Sequence, residues 1–412
     1  MFDLPPRPMD AQPDDASPPP VALDTLALHW QVIVGRDRRP SGVRLELRNR
    51  GQGRALALSA LLDGVVRGFT AEEGAPFPHG LVLLAPVDAQ MDAAMARWSA
   101  PRNVLLEIPA SDLQDEARAR VLFESRRQGV RQALRLEEAI PTAERLQFFQ
   151  YLVGPSSSVR WASIPVLALD TGCASQVDLA LGAGVHALVG WPLTDPTPGR
   201  PRELSPSQRA IFELVRLIQA DAEIRSLERV FEAEPLLAYM LLTLANSVAF
   251  RRGPPTASLR QAVLAIGYQR LIKWLILILA ISSKDGRIAP LIFTTLIRGY
   301  CMENLALGAG RTKAEADEAF IVGAFSLLDL ITGQTLPALL GEVGLPDDVV
   351  DALVKRTGPH AAALKVVLSM ESDDDGAHAQ ACAGISADAN ADVVNRSLLR
   401  AIAAADAMLA LV

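Results

Sequence analysis

The fold is decided by a series of short apolar runs, the first of which is Leu26-Ala27-Leu28-His29-Trp30-Gln31-Val32-Ile33-Val34. Similar runs cover residues 43–47, 81–86, 103–108, 146–153 and 164–169, with two more near Ala133 and at 186–189. Stretches with apolar residues at helical spacing, such as 112–128 and 176–181, lie between them. This alternation predicts a parallel sheet covered by helices, and about eight strands indicate a (β/α) barrel. Its helices must be short or missing in places, since such barrels usually take about 250 residues.

The composition changes after a Pro-rich segment, and the remainder of the chain has helical periodicity throughout. Residues 194–208 contain four prolines, which interrupt both helices and strands, and Ser205 followed by Pro206 is a helix start signal. We therefore predict a disordered Pro-rich tail at 1–20, a barrel at 21–193, a linker at 194–204 and a helical domain at 205–412. The predicted fold class is α/β plus all-α.

Length, charge and cysteine content exclude several classes of protein. A chain of 412 residues is long enough for two hydrophobic cores. Its formal net charge of -7 argues against a nucleic-acid-binding protein, because phosphate binding requires a basic field. The three cysteines lie far apart and predict neither a zinc site nor a disulfide framework. The apolar run at 271–281 is shorter than the roughly 20 residues that a membrane-spanning helix needs, so we expect a buried helix there.

Residues 31–34 and 42–48 resemble the opening Gln-Pro-Ile strand and the Glu-Ala-Leu-x-Arg strand of the EAL family, whose catalytic members are cyclic-di-GMP phosphodiesterase barrels. Gln31 and Arg48 are kept, whereas Arg44 replaces the signature glutamate. The positions that the resemblance marks in later strands are Glu107 in a Glu-x-Thr-Glu-like strand, Arg135 near the place of the Asp-Asp-Phe motif, and Gly190 at the end of the last strand.

The resemblance implies a barrel that has lost its chemistry. Phosphodiester hydrolysis with divalent cations requires several converging oxygen ligands, and only Glu107 remains of the expected carboxylates. Arg44 and Arg135 stand at ligand positions, where each unit-charge repulsion costs about 4 kcal/mol at 4 Å and an effective dielectric near 20. We expect no catalytic residue, metal or cofactor, and a buried ion pair between Arg44 and Glu107 on neighbouring strands. Alternatives are that Arg48 is a solvated surface charge and that the two arginines bind a nucleotide phosphate.

Residues 227–250 resemble the Asp-Pro-x-Leu…Leu-x-x-x-Asn-Ser pattern of the HDOD domain, with Glu234 in place of the aspartate. Residues 258–267 resemble the next segment of that domain. We assign structural roles to the matching residues, which are Glu234 and Pro235 at a helix start, Asn246 and Ser247 at its end in a left-handed cap, and Gly267 where another backbone packs closely. The chain has no histidine between His186 and His360, so the metal site of related HD hydrolases cannot be built.

Together the resemblances predict a bacterial, cytoplasmic signal-transduction protein of the EAL–HDOD type that is not an enzyme. The leading hypothesis is a regulatory scaffold that binds another signalling protein, with a homodimer as an open alternative. The rival hypothesis is a cyclic-di-GMP receptor that keeps a nucleotide pocket in the degenerate barrel without hydrolysing the nucleotide.

Overall fold

The computed structural model describes residues 23–50, 56–70, 77–87, 89–137, 142–193, 205–247, 255–281, 286–343, 345–372, 374–385 and 390–410. The predicted tail at 1–20 and linker at 194–204 fall outside the described residues. Within the described ranges, no helix combines the length and the apolar character that crossing a membrane requires.

Eight strands close into a barrel in chain order, which confirms the predicted architecture. The strands are β1 (Leu26–Gly35), β2 (Pro40–Asn49), β3 (Leu81–Val87), β4 (Val104–Pro109), β5 (Arg131–Arg135), β6 (Tyr151–Gly154), β7 (Val166–Ala168) and β8 (Ala187–Val189). The prediction of an all-parallel sheet is wrong for β1, which runs antiparallel to both β2 and β8. Only residues 36–39 connect β1 to β2, and a parallel crossover needs a dozen residues or more.

The prediction of one strand over 146–153 is also wrong in its first half. A short helix, α3, occupies Ala143–Leu146, and β6 starts only at Tyr151. Leu146 and Phe149 are both buried and lie three residues apart, so the apolar pattern there serves helical packing rather than a strand. The other barrel helices are α1 (Leu58–Phe69), α2 (Glu116–Arg127) and α4 (Ala174–Ala183).

The second half is helical in all its described segments. Its helices are α5 (Pro206–Gln219), α6 (Ile224–Ala233), α7 (Pro235–Ala245), α8 (Leu259–Ile266), α9 (Tyr268–Ile281), α10 (Ile288–Gly308), α11 (Lys313–Phe325), α12 (Leu328–Thr332), α13 (Leu336–Val343), α14 (Asp347–Val350), α15 (Ala361–Ser369), α16 (Asp375–Ala383) and α17 (Ala391–Leu409). Ser205 caps α5 as predicted, because its side chain accepts a hydrogen bond from the Gln208 N–H while Gln208 reaches back to the cap. The described side chains of the apolar run in α9, including Leu271, Trp274 and Ile278, are buried.

Two glycines let α10 and α11 approach until their backbones touch. A Cβ atom added at Gly323 would lie 2.5 Å from the carbonyl oxygen of Arg298. A Cβ atom at Gly299 would lie 2.9 Å from the ring of Phe320. Side chains larger than hydrogen are therefore excluded at this crossing, which forms the centre of the helical half.

The two halves share one hydrophobic core and are also joined by polar contacts. Buried residues of the barrel and of the helices belong to a single contiguous cluster. The Asn395 side chain of α17 donates to the carbonyl oxygens of Leu23 and Leu26, at 2.7 and 2.8 Å. The Trp30 N–H of β1 donates to the Met370 carbonyl at 2.8 Å. β1 pairs with β8 only over Ile33–Gly35. The helices therefore bind backbone groups at the start of β1 that this short pairing does not reach.

Candidate functional site

The barrel interior changes from apolar to charged along its axis. Its lower layers are filled by the apolar side chains Ile33, Leu83, Leu105, Ala133, Val153, Leu167, Ala187 and Val189. Arg44, Glu46 and Arg48 alternate along β2 and therefore point to one side of the strand. Glu107 occupies the equivalent level on β4, near the carboxyl ends of the parallel strands. The charged residues thus lie at the end of the barrel where such folds place their functional groups.

Arg44 binds Glu107 in the predicted ion pair. Arg44 Nε donates to one carboxylate oxygen at 2.7 Å, and Nη2 donates to the other at 2.8 Å. The side chains are only 7% and 2% exposed, so the pair lies in a nearly dry environment. The prediction is wrong in one respect, because β3 lies between β2 and β4. Ala85 on β3 pairs in register with Glu46, and its small side chain leaves room for Arg44 to reach across.

Two further residues of β2 extend this pair toward the surface. Arg44 Nη1 donates to Glu46 at 3.0 Å and to the Gln31 side-chain oxygen at 3.3 Å. The second oxygen of Glu46 accepts from Arg48 Nε at 2.5 Å. Burial opposes ionisation of both groups, yet the charges and hydrogen bonds of their partners prevail. They raise the pKa of Arg44, and the two arginines lower the pKa of Glu46.

Arg48 is not a solvated surface charge, since it binds the helical half. Arg48 Nη1 lies 2.5 Å from the carboxylate of Asp375, the first residue of α16. The other oxygen of Asp375 lies 3.1 Å from His29 Nε2, and His29 Nδ1 donates to the Ser372 carbonyl at 2.6 Å. The barrel and the helical half are therefore joined by charged and polar groups beside the barrel mouth.

An open cavity of about 690 Å³ lies on the opposite side of the mouth from β1. Glu107 and Arg135 line it, together with Arg118, Asp112 and Glu137. Arg135 lies 3.8 Å from Glu107 and 3.4 Å from Glu137, and Arg118 binds Asp112 at 2.7 Å. Partial burial tends to raise the pKa of Glu137, but hydrogen bonds from Ser111 and the Arg135 charge lower it. The lining is thus rich in charges of both signs that already neutralise one another.

The structure brings together five of the six barrel positions singled out from the sequence, namely Gln31, Arg44, Arg48, Glu107 and Arg135. Gly190 contributes through its backbone instead. Its φ is 92°, and an added Cβ would lie 2.8 Å from the Thr171 hydroxyl oxygen. Among the residues that the structure describes, no three His, Cys, Asp or Glu side chains are grouped so that they could hold a metal ion.

The residues singled out in the helical half lie at helix ends, where two of the predicted roles need correction. Pro235 begins α7, and Glu234 accepts a hydrogen bond from the Ser207 hydroxyl at 2.9 Å. Asn246 and Ser247 end α7, but Asn246 has φ -88° and ψ -3°, so it is not in a left-handed cap. It acts through its side chain, which donates to the Thr256 carbonyl and accepts from the Thr256 N–H.

Gly267 is the second correction. A Cβ atom added there would meet nothing within 4 Å, so close packing is not the reason for glycine. Its φ of 80° and ψ of 150° interrupt the helical conformation between α8 and α9. Residues that carry a side chain rarely adopt this conformation. Gly267 therefore supplies the positive φ that the connection between α8 and α9 requires.

The sequence analysis missed Glu46, His29 and Asp375. The alternation of charges along β2 is a signal that could have identified Glu46. No local pattern identifies Asp375, because its barrel partners lie more than 300 positions away.

Comparison with known proteins supports the assignment of the second half. Residues 204–330 match the HDOD domain family, so this part of the chain is an HDOD domain, as its sequence motifs indicate. The chain is 29% identical over 195 residues to the cyclic di-GMP phosphodiesterase CdgJ of Vibrio cholerae, a match that covers 47% of this chain and 44% of CdgJ. It is 25% identical over 199 residues to YuxH of Bacillus subtilis, covering 47% of this chain and 48% of YuxH. The matches thus span less than half of these relatives.

Two solved structures, one of them the phosphodiesterase PaMucR, are also similar to part of the chain. The cyclic-di-GMP complex of PaMucR covers 40% of this chain and 89% of its own, at 14% identity and a TM-score of 0.30. BlrP1 of Klebsiella pneumoniae, in a calcium and cyclic-di-GMP complex, covers 42% of this chain and 56% of its own, at 13% identity and a TM-score of 0.28. The predicted fold, a barrel followed by a helical HDOD domain, is confirmed by the closed eight-stranded barrel and the HDOD match.

Proposed function

We propose that this protein belongs to cyclic-di-GMP signalling, does not hydrolyse the nucleotide, and regulates another signalling protein by binding it. The observation that carries the proposal is the bidentate pair between Arg44 and Glu107. The one carboxylate left from the EAL ligand set has both oxygens bound to a buried guanidinium. A divalent cation would have to displace that guanidinium and then tolerate its charge nearby.

The other carboxylates around the mouth support the same conclusion. Glu46 is bound by Arg44 and Arg48, and Glu137 accepts from the Ser111 N–H at 2.9 Å and lies beside Arg135. Phosphodiester hydrolysis with hard cations needs carboxylates that are free to coordinate the metal and to orient its bound water. Ion pairing with arginine uses the same oxygens, so the barrel is suited to binding rather than to turnover.

An activity assay on the full chain tests this part of the proposal. Purified protein is incubated with cyclic-di-GMP and either magnesium or manganese, and linear product is followed by chromatography. We expect no product above that of a Glu107→Ala variant prepared in parallel, which controls for contaminating enzymes. Product that accumulates with the unaltered chain and disappears with Glu107→Ala would refute inactivity.

The second candidate function is a cyclic-di-GMP receptor, and the mouth cavity favours it. The cavity of about 690 Å³ falls within the range of small-molecule sites and presents Arg118 and Arg135, whose guanidinium groups suit phosphates. Both arginines are already paired with carboxylates, so a nucleotide must replace those pairs. We therefore rank the receptor below the scaffold.

Calorimetry with cyclic-di-GMP distinguishes the two candidates. Saturable binding in the micromolar range or tighter, weakened by Arg135→Ala, would favour the receptor. Heats that stay at the level of dilution would favour the scaffold. The partner protein, a homodimer and a cytoplasmic location stay predictions, and affinity capture with the full chain from its native cell addresses the partner.

A further inference from the structure

An unbroken series of ion pairs runs from the barrel interior to the helical half. Its members, in order, are Glu107, Arg44, Glu46, Arg48 and Asp375, and we call this series the charge chain. The joining distances are 2.7 Å from Arg44 to Glu107, 3.0 Å from Arg44 to Glu46, 2.5 Å from Arg48 to Glu46 and 2.5 Å from Arg48 to Asp375. Negative and positive charges alternate along it without interruption.

The charge chain passes from a dry environment to a wet one. The Glu107 side chain is 2% exposed, that of Arg48 is 22% exposed and that of Asp375 is 56% exposed. Interactions between charges are strong and weakly screened at the buried end and become easily exchanged at the surface. The ion pair at the surface end is therefore the easiest of the series to rearrange.

Backbone carbonyls near the far end of the charge chain also contact the barrel. The Met370 carbonyl accepts from the Trp30 N–H, and the Ser372 carbonyl accepts from His29. Glu371 faces the helical half instead, where Arg298 binds both of its oxygens at 2.7 and 2.6 Å. Asp375, which lies beside both Arg48 and His29, is thus a charged contact between the first turn of α16 and the barrel.

We propose that the charge chain couples the barrel mouth to the helical half, so that the first turn of α16 responds to the charge at the mouth. This inference rests on the proposed function only in treating the mouth as the place where a ligand or partner changes that charge. Coupling of this kind is reciprocal, so a protein that binds the helical half and moves Asp375 also changes the mouth. The arrangement gives a barrel without turnover a means of regulating its helical domain.

Competition for shared partners gives the coupling a distinctive sign. Neutralising Glu107 leaves Arg44 with Glu46 as its remaining strong partner, which weakens the hold of Glu46 on Arg48 and strengthens the Arg48–Asp375 pair. Removing Arg44 has the opposite effect. Glu46 then binds Arg48 with both oxygens, which weakens the Arg48–Asp375 pair. The first turn of α16 should be tightened by the first change and loosened by the second.

Hydrogen–deuterium exchange on the full chain tests this sign directly. Amide exchange in residues 370–380 is compared among the unaltered chain, Glu107→Gln and Arg44→Met, with buried α10 amides reporting global opening. After correction for global opening, we expect exchange to slow in Glu107→Gln and to accelerate in Arg44→Met. Each change should be up to about fivefold, the factor that corresponds to an exposed ion pair of about 0–1 kcal/mol.

Two control variants complete the experiment. Asp375→Asn should accelerate exchange in residues 370–380 and abolish the effects of both barrel variants. Asp392→Asn, which removes the partner of Arg396 on α17, should leave these residues unchanged. Changes of the same sign in the two barrel variants, or none in either, would overturn the coupling. The measurement needs neither ligand nor turnover, so detecting hydrolysis would refute inactivity and leave this result standing.

Discussion

Arg44 and Glu107 face each other across an intervening strand, and each is almost completely shielded from water. This arrangement predicts a large asymmetry between breaking the pair and replacing it. Arg44→Ala leaves the Glu107 carboxylate buried without its main partner, and losing one member of a buried pair typically costs about 3–5 kcal/mol. We expect a loss of that size in the free energy of unfolding, measured by urea denaturation.

Two further variants make this prediction specific to burial. Arg44→Met combined with Glu107→Leu should recover much of the loss, because Glu46 keeps Arg48 as its partner. Arg396→Ala, which breaks a half-exposed pair with Asp392, should cost no more than about 1 kcal/mol. If Arg44→Ala costs as little as Arg396→Ala, water enters the site and the argument from a dry environment fails.

The contact between α10 and α11 yields a second prediction. Gly323→Ala places a methyl group against the Arg298 backbone, which cannot move aside as a flexible side chain can. Overpacking of this kind typically costs about 1–3 kcal/mol. The matched control is Gly341→Ala in α13, where an added Cβ meets nothing within 4 Å. That variant should gain roughly 0.5–1 kcal/mol from helix propensity, and thermal denaturation should show shifts of opposite sign.

A third prediction concerns pH. Burial lowers the pKa of His378 to about 4, and the nearby charges of Arg50 and His29 act in the same direction, whereas Asp375 opposes them. As the pH falls, the His378 imidazole of the unfolded chain binds a proton near pH 6.5, whereas that of the folded chain binds one only near pH 4. The contribution of His378 to the free energy of unfolding is therefore fully present above pH 6.5 and is lost as the pH falls toward 4.

Comparing variants isolates this group from other acids and bases. Between pH 7 and 4.5 the unaltered chain should lose about 2 kcal/mol more stability than His378→Asn, a value reduced from the full shift for residual solvent screening. Parallel stability curves for the unaltered chain and His378→Asn would contradict the assignment to His378.

From the Pro-rich linker and the apolar helices that follow it, the sequence predicts that residues from about 203 to 412 fold alone. The shared core bears on this prediction. The packing of Leu399 against Gly68 and the bonds from Asn395 to β1 are lost when the barrel is removed. We expect the isolated helical half to show a helical circular dichroism spectrum but a lower urea midpoint than the full chain. A spectrum without helix would mean that the two halves form a single folding unit.

The sequence predicted the features that depend on local patterns. Eight strands follow from periodic apolar runs, and the Arg44–Glu107 pair follows from two motif positions that the barrel brings to one level. The roles of Gly267 and Asn246 could not be predicted, because the sequence does not show whether a glycine supplies space or a positive φ, or whether an asparagine acts through backbone or side chain. The contact of Asp375 with Arg48 depends on the packing of whole domains, which no local pattern encodes.

The hydrogen bonds between β1 and the helical half join residues that are synthesised far apart in time. His29 and its acceptor on Ser372 are separated by 343 positions, and Asn395 and its acceptor on Leu23 by 372. At about 5–20 residues per second, a ribosome needs roughly 20–70 s to synthesise the intervening chain. Throughout that time the nascent barrel exposes one side of its first strand, which can pair with other strands. This strand edge is therefore covered only when the last helices emerge.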